Sequence, residues 1–290
     1  MAEKKILYGI IGNPIEHSLS PVMHNAAFKE MGASAEYRLF PLAEDEVEGF
    51  ILDLHKKDNP ILGLNVTIPY KEKVIPYLDN VAPLVSRLNA VNTIVVTKDR
   101  RLVGYNTDAP GFIAHLVELG FNTRGKRIAI LGAGGSARAI IGTLCLIPER
   151  PESIKIFNRT TKNVEDMLKD LAERLDLSIV ESVTSIEDLN LELADFLINA
   201  TSLGLKEDDP CLLEPHHLHK DMLVYDLIYK PSKTLLLKMA EEEGARAVNG
   251  LGMLYYQGVL ALQHWADMEL DDQVKQVMRK TLEKAARGSR

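Results

Sequence analysis

Short apolar runs alternate with longer amphipathic stretches along most of this chain, and each pattern indicates a different element. A continuous apolar run bounded by turn residues is typical of a buried strand, whereas apolar positions at helical spacing predict a helix. Strands are predicted at residues 6–11, 37–42, 62–67, 91–96, 101–105, 127–131, 153–157, 196–199 and 223–227. Helices are predicted at residues 21–31, with Ser20 as N-cap, and at 44–57, 111–119, 136–146, 162–175, 252–266 and 271–286.

The order of these elements predicts an α/β protein of two domains. Strands that alternate with helices indicate mostly parallel sheets, because a parallel pair needs a long crossover connection. The strand–helix repeat that begins near residue 109 is doubly wound, and the chain from residue 250 is helical in character. We therefore predict one domain of residues 1–108 completed by 250–290, and a second domain of residues 109–249.

The composition excludes several classes of protein. Of the 290 residues, 46% are hydrophobic and 26% are charged, which is typical of a soluble globular protein. A net charge of -7 argues against a general nucleic-acid binder, whose domain is normally basic. No apolar run reaches the length of a membrane span, and no signal peptide is evident. We expect a cytoplasmic monomer or homodimer that acts on small molecules and binds neither nucleic acid nor membrane.

The cysteine and histidine positions predict neither a disulfide framework nor a metal site. Cys145 and Cys211 do not form a C-x-x-C pair, which favours a reducing compartment. The three histidines of residues 216–219 lie near Cys211, but their spacing matches no zinc pattern, so a solvated loop is predicted. His24 falls inside a predicted helix and is interpreted as a packed residue.

A glycine-rich turn between a predicted strand and a predicted helix gives the first chemical signal. The turn consists of Gly132, Ala133, Gly134, Gly135, Ser136 and Ala137. In a Rossmann-type domain such glycines allow a tight turn and let backbone N–H groups approach a pyrophosphate at a helix N-terminus. The third fingerprint position is alanine, which the looser pattern admits. A tight turn with no ligand is the alternative interpretation.

The segment after the next predicted strand indicates which dinucleotide binds. It contains Asn158, Arg159, Thr160 and Lys162, with no carboxylate between residues 158 and 163. An NAD site would place Asp or Glu here for the ribose hydroxyl, whereas the additional phosphate of NADP needs a cation and donors. We therefore predict NADP(H). The alternative is a solvated helix start with Thr160 as the N-cap.

Polar residues crowd the predicted carboxyl ends of strands in the first domain, where ligands of open α/β sheets bind. They are Ser18, Ser20, Asn65, Thr67, Lys71, Asn92 and Asp108. Six segments of the chain resemble the shikimate dehydrogenase family, in the family's order, over residues 9–257. These segments are SLSPVMHN (18–25), NVTIPYK (65–71), AVNT (90–93), YNTD (105–108), NATS (199–202) and NGLGMLYYQ (249–257).

The resemblance implies a reaction and a set of contacts. The reaction is the NADPH-dependent reduction of 3-dehydroshikimate to shikimate, in the chorismate route to aromatic amino acids, in a cleft between the two domains. Lys71 and Asp108 are implied as the catalytic pair. The implied contacts to shikimate are Ser18, Ser20, Asn65, Thr67, Lys71, Asn92, Asp108, Tyr229 and Gln257. The implied neighbours of the cofactor are Thr201, Ser202, Ile228, Gly250 and Met253.

The chemistry of Lys71 and Asp108 agrees with that reaction. Hydride attack on a ketone leaves an alkoxide, and a lysine ammonium can stabilise it and supply its proton. Asp108 can hold the lysine or share the proton relay, and the sequence does not choose between these roles. Taken alone, Lys71 is an exposed lysine at a helix start and Asp108 is a helix N-cap. A dehydrogenase that also accepts quinate, and a non-catalytic NADP or metabolite sensor, are the alternative functions.

Overall fold

A computed structural model describes residues 5–206 and 208–288. The chain divides into two compact units, one of residues up to Gly111 together with Leu254–Gly288, and the other of Phe112–Met253. The strands are β1 Ile6–Gly12, β2 Ala35–Pro41, β3 Ile61–Val66, β4 Asn80–Val81, β5 Thr93–Val96, β6 Leu102–Tyr105, β7 Arg127–Leu131, β8 Ser153–Phe157, β9 Val180–Val183, β10 Phe196–Asn199, β11 Leu223–Asp226 and β12 Arg246–Asn249. The α-helices are α1 Ser20–Glu30, α2 Val47–Asp53, α3 Pro83–Leu88, α4 Asp108–Glu118, α5 Gly135–Leu146, α6 Thr161–Ala172, α7 Leu235–Glu242, α8 Leu251–Ala266 and α9 Asp272–Gly288.

The first unit contains a mixed sheet of six strands in the order β2-β1-β3-β5-β6-β4. Strand β1 runs parallel to β2 and β3, whereas β5 lies antiparallel to both β3 and β6. The antiparallel register places Asn65 on β3 directly opposite Thr93 on β5. Ile11, Leu64 and Ile94 are fully buried in the apolar core on this sheet. That core holds the polar end of β3 in a fixed position.

The second unit contains a parallel sheet of six strands in the order β12-β11-β10-β7-β8-β9. Every neighbouring pair is parallel. Counted within the unit, this is the 3-2-1-4-5-6 order of a Rossmann fold, whose reversal point lies between β7 and β10. The predicted α/β class with a Rossmann-type sheet is confirmed.

Two local predictions about helices are wrong. The helix expected over residues 44–57 is a 3-10 turn, Glu44–Glu46, followed by α2, which ends at Asp53. The Asp53 carbonyl accepts the N–H of Lys56, three residues further on, at 3.1 Å and the Asn59 side chain at 3.2 Å, so the chain leaves the α-helical pattern there. Ser20 is not the N-cap of α1, because Leu19 occupies that position. The hydroxyl of Ser18 instead accepts the backbone N–H of Ser20 at 3.3 Å.

Several short elements were not predicted, namely α3, α7, β4, β9 and β12. Each has few residues, so apolar periodicity has little room to appear, and packing on neighbouring elements decides the structure instead. In the ranges 5–206 and 208–288, no helix combines the length and the apolar character needed to cross a membrane.

Candidate active site

Lys71 and Asp108 form a buried ion pair in the first unit. Lys71 lies in the turns that follow β3, and Asp108 is the first residue of α4, which begins earlier than predicted. Lys71 Nζ donates to Asp108 Oδ2 at 2.6 Å, and the two side chains are only 8% and 10% exposed. The interpretation of Lys71 as an exposed lysine is therefore wrong. An ammonium held in this way can act on a ligand with little competition from bulk water.

Backbone geometry fixes where these two side chains begin. The N–H of Val91 donates to the Lys71 carbonyl at 2.8 Å, which ties the turn that carries the lysine to the segment before β5. The N–H of Ala109 donates to Asn106 Oδ1 at 3.1 Å, so Asn106 caps the start of α4. Asn106 is itself buried. Because Asn106 caps the helix, the carboxylate of Asp108 is available for other hydrogen bonds.

Asn92 joins Asp108 to neighbouring polar groups. Its Nδ2 donates to Asp108 Oδ1 at 2.9 Å and to Thr107 Oγ1 at 2.8 Å. Its Oδ1 accepts the backbone N–H of Thr107 at 2.7 Å, and since an N–H can only donate, this bond fixes the orientation of the amide. Gln257 Oε1 lies 3.4 Å from the same amide nitrogen. The two oxygens of Asp108 therefore accept from Lys71 and Asn92 respectively.

The remaining residues predicted to contact the substrate occupy different settings. Ser20 and Asn65 are buried, and Ser18 and Thr67 are half-buried, all within the first unit. The amide of Asn65 makes hydrogen bonds to three neighbouring groups of the protein. Tyr229 is half-buried and belongs to the second unit, just beyond the end of β11.

The glycine turn of the second unit leaves an open space at a helix N-terminus. Gly132 follows β7 with φ of 107°, and a Cβ there would lie 2.8 Å from the Ala200 carbonyl oxygen, so this position requires glycine. Gly134 is the N-cap of α5, and a Cβ there would meet no protein atom within 4 Å. This space suits a phosphate-bearing group. The other residues of the turn are Ala133, before the N-cap, and Gly135, Ser136 and Ala137, which begin α5.

The predicted phosphate-binding residues lie at the start of α6. Asn158 Nδ2 donates to the Thr160 carbonyl at 2.9 Å and shapes the turn. Thr160 is the N-cap, but it makes no side-chain capping bond, which weakens the alternative interpretation of this segment. Arg159 is exposed, and no described residue pairs with it. Lys162 Nζ lies 3.0 Å from Asp166 Oδ2, so a phosphate would compete with that carboxylate for Lys162 but not for Arg159.

A buried carboxylate at the end of β11 was missed by sequence reasoning. Asp226 accepts from Asn199 Nδ2 at 3.0 Å, from the Ile228 N–H at 3.0 Å and from Thr234 Oγ1 at 2.6 Å. Burial raises the pKa of Asp226. Because Thr201 Oγ1 donates to Asn199 Oδ1 at 2.7 Å, the predicted cofactor residues Thr201 and Ile228 are tied to one carboxylate. The only sequence signal was an acid directly after an apolar run.

Three further residues predicted to lie beside the cofactor also belong to the second unit. Gly250 comes close to another part of the backbone, since a Cβ there would lie 2.1 Å from the Leu227 carbonyl oxygen. Met253 is buried in α8, and Ser202 is exposed in the loop after β10. The structure therefore places Gly250 where only glycine fits and leaves the Ser202 hydroxyl accessible.

The histidines near Cys211 form no metal centre in the part of the chain that the structure describes, where no group of three or more potential ligands occurs. His216 and His217 lie on the 3-10 turn Pro215–His217, and His216 pairs with Glu214 at 3.4 Å. His219 Nε2 lies 3.1 Å from the Ala194 carbonyl oxygen. These side chains are occupied by local structural contacts.

Comparisons with known proteins agree with the sequence segments. The family model described as the shikimate dehydrogenase substrate binding domain matches residues 10–94. The chain is 41% identical over 266 residues to the NADP-dependent shikimate dehydrogenase of Methanopyrus kandleri, with 90% of each protein covered. The crystal structure of shikimate dehydrogenase from Aquifex aeolicus has a TM-score of 0.85 and 35% identity, covering 97% of this chain and 99% of that one.

A structure that contains both ligands is also similar. The shikimate dehydrogenase of Thermus thermophilus in complex with NADP(H) and shikimate has a TM-score of 0.80 and 30% identity, covering 97% of this chain and 99% of that one. The predicted resemblance is confirmed, and the names of the relatives agree with the prediction of NADP(H). Given such identity over nine-tenths of its length, the chain belongs to the shikimate dehydrogenase family.

Proposed function

We propose that this chain is an NADP-dependent shikimate dehydrogenase, which reversibly reduces 3-dehydroshikimate to shikimate in aromatic amino acid biosynthesis. The observation that carries the proposal is the buried pair of Lys71 and Asp108, with 2.6 Å between Nζ and Oδ2. Amide and hydroxyl groups surround this pair, as a small polyhydroxylated acid requires. Membership of the family supports the same reaction.

Lys71 is the proton donor for the reduction. When bound, NADPH supplies the hydride to the keto carbon. The ketone oxygen becomes an alkoxide, and the ammonium of Lys71 stabilises that charge and transfers a proton to it. Both oxygens of Asp108 accept hydrogen bonds from protein donors, which is the arrangement of an ionised carboxylate. Asp108 therefore orients the lysine and does not donate the proton itself.

The substrate contacts combine an anion-binding end with a hydroxyl-binding end. Ser18 and Ser20 place hydroxyl groups at the N-terminus of α1, where backbone N–H groups and the helix dipole favour a carboxylate. The ring hydroxyls need donors and acceptors in a fixed pattern, which buried amides provide. The proposed contacts to shikimate are Ser18, Ser20, Asn65, Thr67, Lys71, Asn92, Asp108, Tyr229 and Gln257.

The cofactor contacts belong to the second unit. The space in front of Gly134 accommodates the pyrophosphate, and the guanidinium of Arg159 binds the ribose phosphate that distinguishes NADP from NAD. Asn158, Thr160 and Lys162 supplement Arg159, with Lys162 limited by its pairing with Asp166. The residues proposed to border the nicotinamide half are Thr201, Ser202, Ile228, Gly250 and Met253.

An assay of two acids against two cofactors tests the function. Purified protein is given shikimate or quinate, each with NADP or NAD, and kcat/KM is measured from the change in cofactor absorbance. We expect the highest kcat/KM with shikimate and NADP. A higher kcat/KM with quinate would contradict the proposed substrate. The absence of cofactor turnover in all four combinations would point to a non-catalytic sensor.

We expect the enzyme to act in the cytoplasm, as a monomer or homodimer. Cys145 and Cys211 are both free thiols, which suits a reducing compartment. Size-exclusion chromatography with light scattering distinguishes one chain from two, and a larger assembly would contradict the expectation.

A further inference from the structure

Side chains from β2, β3 and the start of β5 form a row of buried hydrogen bonds that ends at Asp108. The Tyr37 hydroxyl donates to Asn65 Oδ1 at 2.8 Å. Asn65 Nδ2 donates to Thr93 Oγ1 at 3.1 Å, and Thr93 Oγ1 donates to Asn92 Oδ1 at 3.1 Å. The members from Tyr37 to Asn92 are at most 4% exposed, so water cannot readily replace a missing partner.

The donor and acceptor in each of these hydrogen bonds can be assigned, because some of the groups can only accept and others can only donate. Asn65 Nδ2 also lies 3.2 Å from the Asn92 carbonyl, a pure acceptor, so the nitrogen faces that carbonyl and Oδ1 faces Tyr37. The hydroxyl oxygen of Thr93 accepts a hydrogen bond from the Asn65 amide, and its own O–H can donate one. Its acceptors are Asn92 Oδ1 and the Thr107 hydroxyl, each 3.1 Å away. The donors therefore point from Tyr37 toward the buried ion pair.

We propose that Thr93 is a positioning residue for substrate binding, whose hydroxyl fixes the amides of Asn65 and Asn92. The inference rests on the proposed function, because those two amides are among the proposed contacts to shikimate. Thr93 is fully buried, stands directly opposite Asn65 in the sheet and follows Asn92 in the chain. One hydroxyl can thus reach both amides and act on the substrate through them.

The consequence of losing this hydroxyl is specific. Without it, one amide proton of Asn65 is buried with no acceptor, and such a group is costly. The amide can then turn to find another partner, and the pattern of donors and acceptors offered to the substrate is lost. The substrate is then bound less tightly in the ground state and the transition state alike, whereas the proton donor Lys71 keeps its hydrogen bond to Asp108. The KM for shikimate is therefore expected to rise more than kcat falls.

The test compares Thr93→Val with Thr93→Ser in steady-state kinetics. Valine keeps the branched shape without the hydroxyl, and serine keeps the hydroxyl. We expect Thr93→Val to raise the KM for shikimate about tenfold, the scale of one lost hydrogen bond, with the KM for NADP unchanged. Thr93→Ser should restore the KM for shikimate to within about threefold of the wild-type value.

Two further variants keep the test decisive. Thr143→Val also removes a buried threonine hydroxyl, which donates to the Ala139 carbonyl at 2.6 Å within α5, and should leave the KM for shikimate unchanged. Tyr37→Phe removes the first donor of the row while it keeps the ring stacked on His24, so it serves if Thr93→Val does not fold. It should raise the KM for shikimate in the same direction.

The outcomes separate this inference from the proposed function. If wild-type protein does not oxidise shikimate with NADP, the proposed function fails and the inference fails with it. If the wild type is active and Thr93→Val keeps its KM for shikimate, only the positioning role is overturned. The positioning role is also overturned if Thr93→Val raises both KM values equally, or if Thr93→Ser restores nothing.

Discussion

The two units of the molecule meet their proposed ligands in different ways. In the first unit the candidate site consists of side chains, with Lys71, Asn92 and Asp108 buried and joined by direct hydrogen bonds. In the second unit it consists mainly of backbone, with Gly132 shaping a turn and Gly134 facing open space. A closed polar network suits the discrimination of ring hydroxyls. An open turn suits a long anionic cofactor that must bind and leave.

This difference predicts opposite responses to mutation. In the first unit, removal of one group leaves a neighbour buried without its partner, so deletion is harmful. In the second unit the cofactor needs space, so addition of an atom is harmful even where it strains nothing in the protein. Variants that remove a polar group from the first unit, or add a methyl group to the glycine turn of the second, therefore test whether the two sites differ in this way.

The largest effect is expected for Lys71→Ala. Loss of the proposed proton donor should reduce kcat by about 10²–10⁴-fold, the usual contribution of general acid catalysis, with a modest change in the KM for shikimate. Lys73→Ala is the matched control, because Lys73 is exposed and pairs with Glu44. Steady-state kinetics of both variants provide the measurement. A kcat of Lys71→Ala near the wild-type value would remove Lys71 from the mechanism.

The next effect is expected for Gly134→Ala. A methyl group there meets no protein atom within 4 Å, so the folded protein should keep its thermal midpoint. It occupies the space assigned to the pyrophosphate, and the KM for NADP should rise by about tenfold to a hundredfold, as for a loss of about 1.4–2.7 kcal/mol. The KM for shikimate should not change. An unchanged KM for NADP would show that no phosphate group approaches Gly134.

Gly132→Ala is the companion variant, and unlike Gly134→Ala it is expected to destabilise the folded protein. Alanine at φ of 107° is strained, and its Cβ would lie 2.8 Å from a carbonyl oxygen. We expect a loss of about 1–3 kcal/mol in the free energy of unfolding, measured by urea denaturation. If Gly132→Ala proved as stable as the wild type, the turn would be more adaptable than the structure indicates.

The smallest effect at neutral pH is expected for His24, which is a buried residue of α1 in the first unit. Both ring nitrogens are buried with no hydrogen-bond partner in the described ranges, and burial lowers the pKa of His24 from 6.5 to about 3. Between pH 6.5 and about pH 3, His24 is therefore protonated in the unfolded chain but not in the folded protein. This contribution to stability is complete above pH 6.5 and is lost as the pH falls, by up to about 1.4 kcal/mol per unit.

The pH dependence is measured by urea denaturation of the wild type and His24→Phe between pH 7 and pH 5. Phenylalanine keeps a ring on Tyr37, on which His24 stacks at 4.6 Å, but it binds no proton. His24→Phe should lose less stability on acidification than the wild type, whatever its stability at pH 7. His216→Phe is the control at an exposed histidine and should behave as the wild type does. Equal acid sensitivity in His24→Phe would contradict the burial argument.

Much of the second unit's sheet could be predicted from local sequence. The bounds of β7, β8 and β10 agree with the predictions, because each is an apolar run flanked by turn residues. The end of α2 could not be predicted in this way, because the backbone tightens to hydrogen bonds three residues apart there and the Asn59 side chain contacts Asp53. The spacing of apolar residues along the chain does not indicate such a side-chain contact.

The candidate site shows the same division. The glycine turn is contiguous, so its residues and its chemistry could be read together. Lys71, Asn92 and Asp108 are distant in the sequence. Their positions after predicted strands grouped them, but only the resemblance to a family implied that Lys71 and Asp108 form a catalytic pair. Thr93 and Asp226 escaped prediction because a threonine in a strand and an acid at a strand end are common. Their importance depends on the register of the sheet and on burial.

The proposed mechanism requires that Lys71 and Asp108 act as one catalytic unit. The most direct test is the kcat for shikimate oxidation of Lys71→Ala, Asp108→Ala and the double variant, measured together. If the two residues act as one unit, the double variant loses no more than the more damaged single variant. If the two losses multiply, each residue acts independently, and Lys71 and Asp108 do not form one catalytic unit.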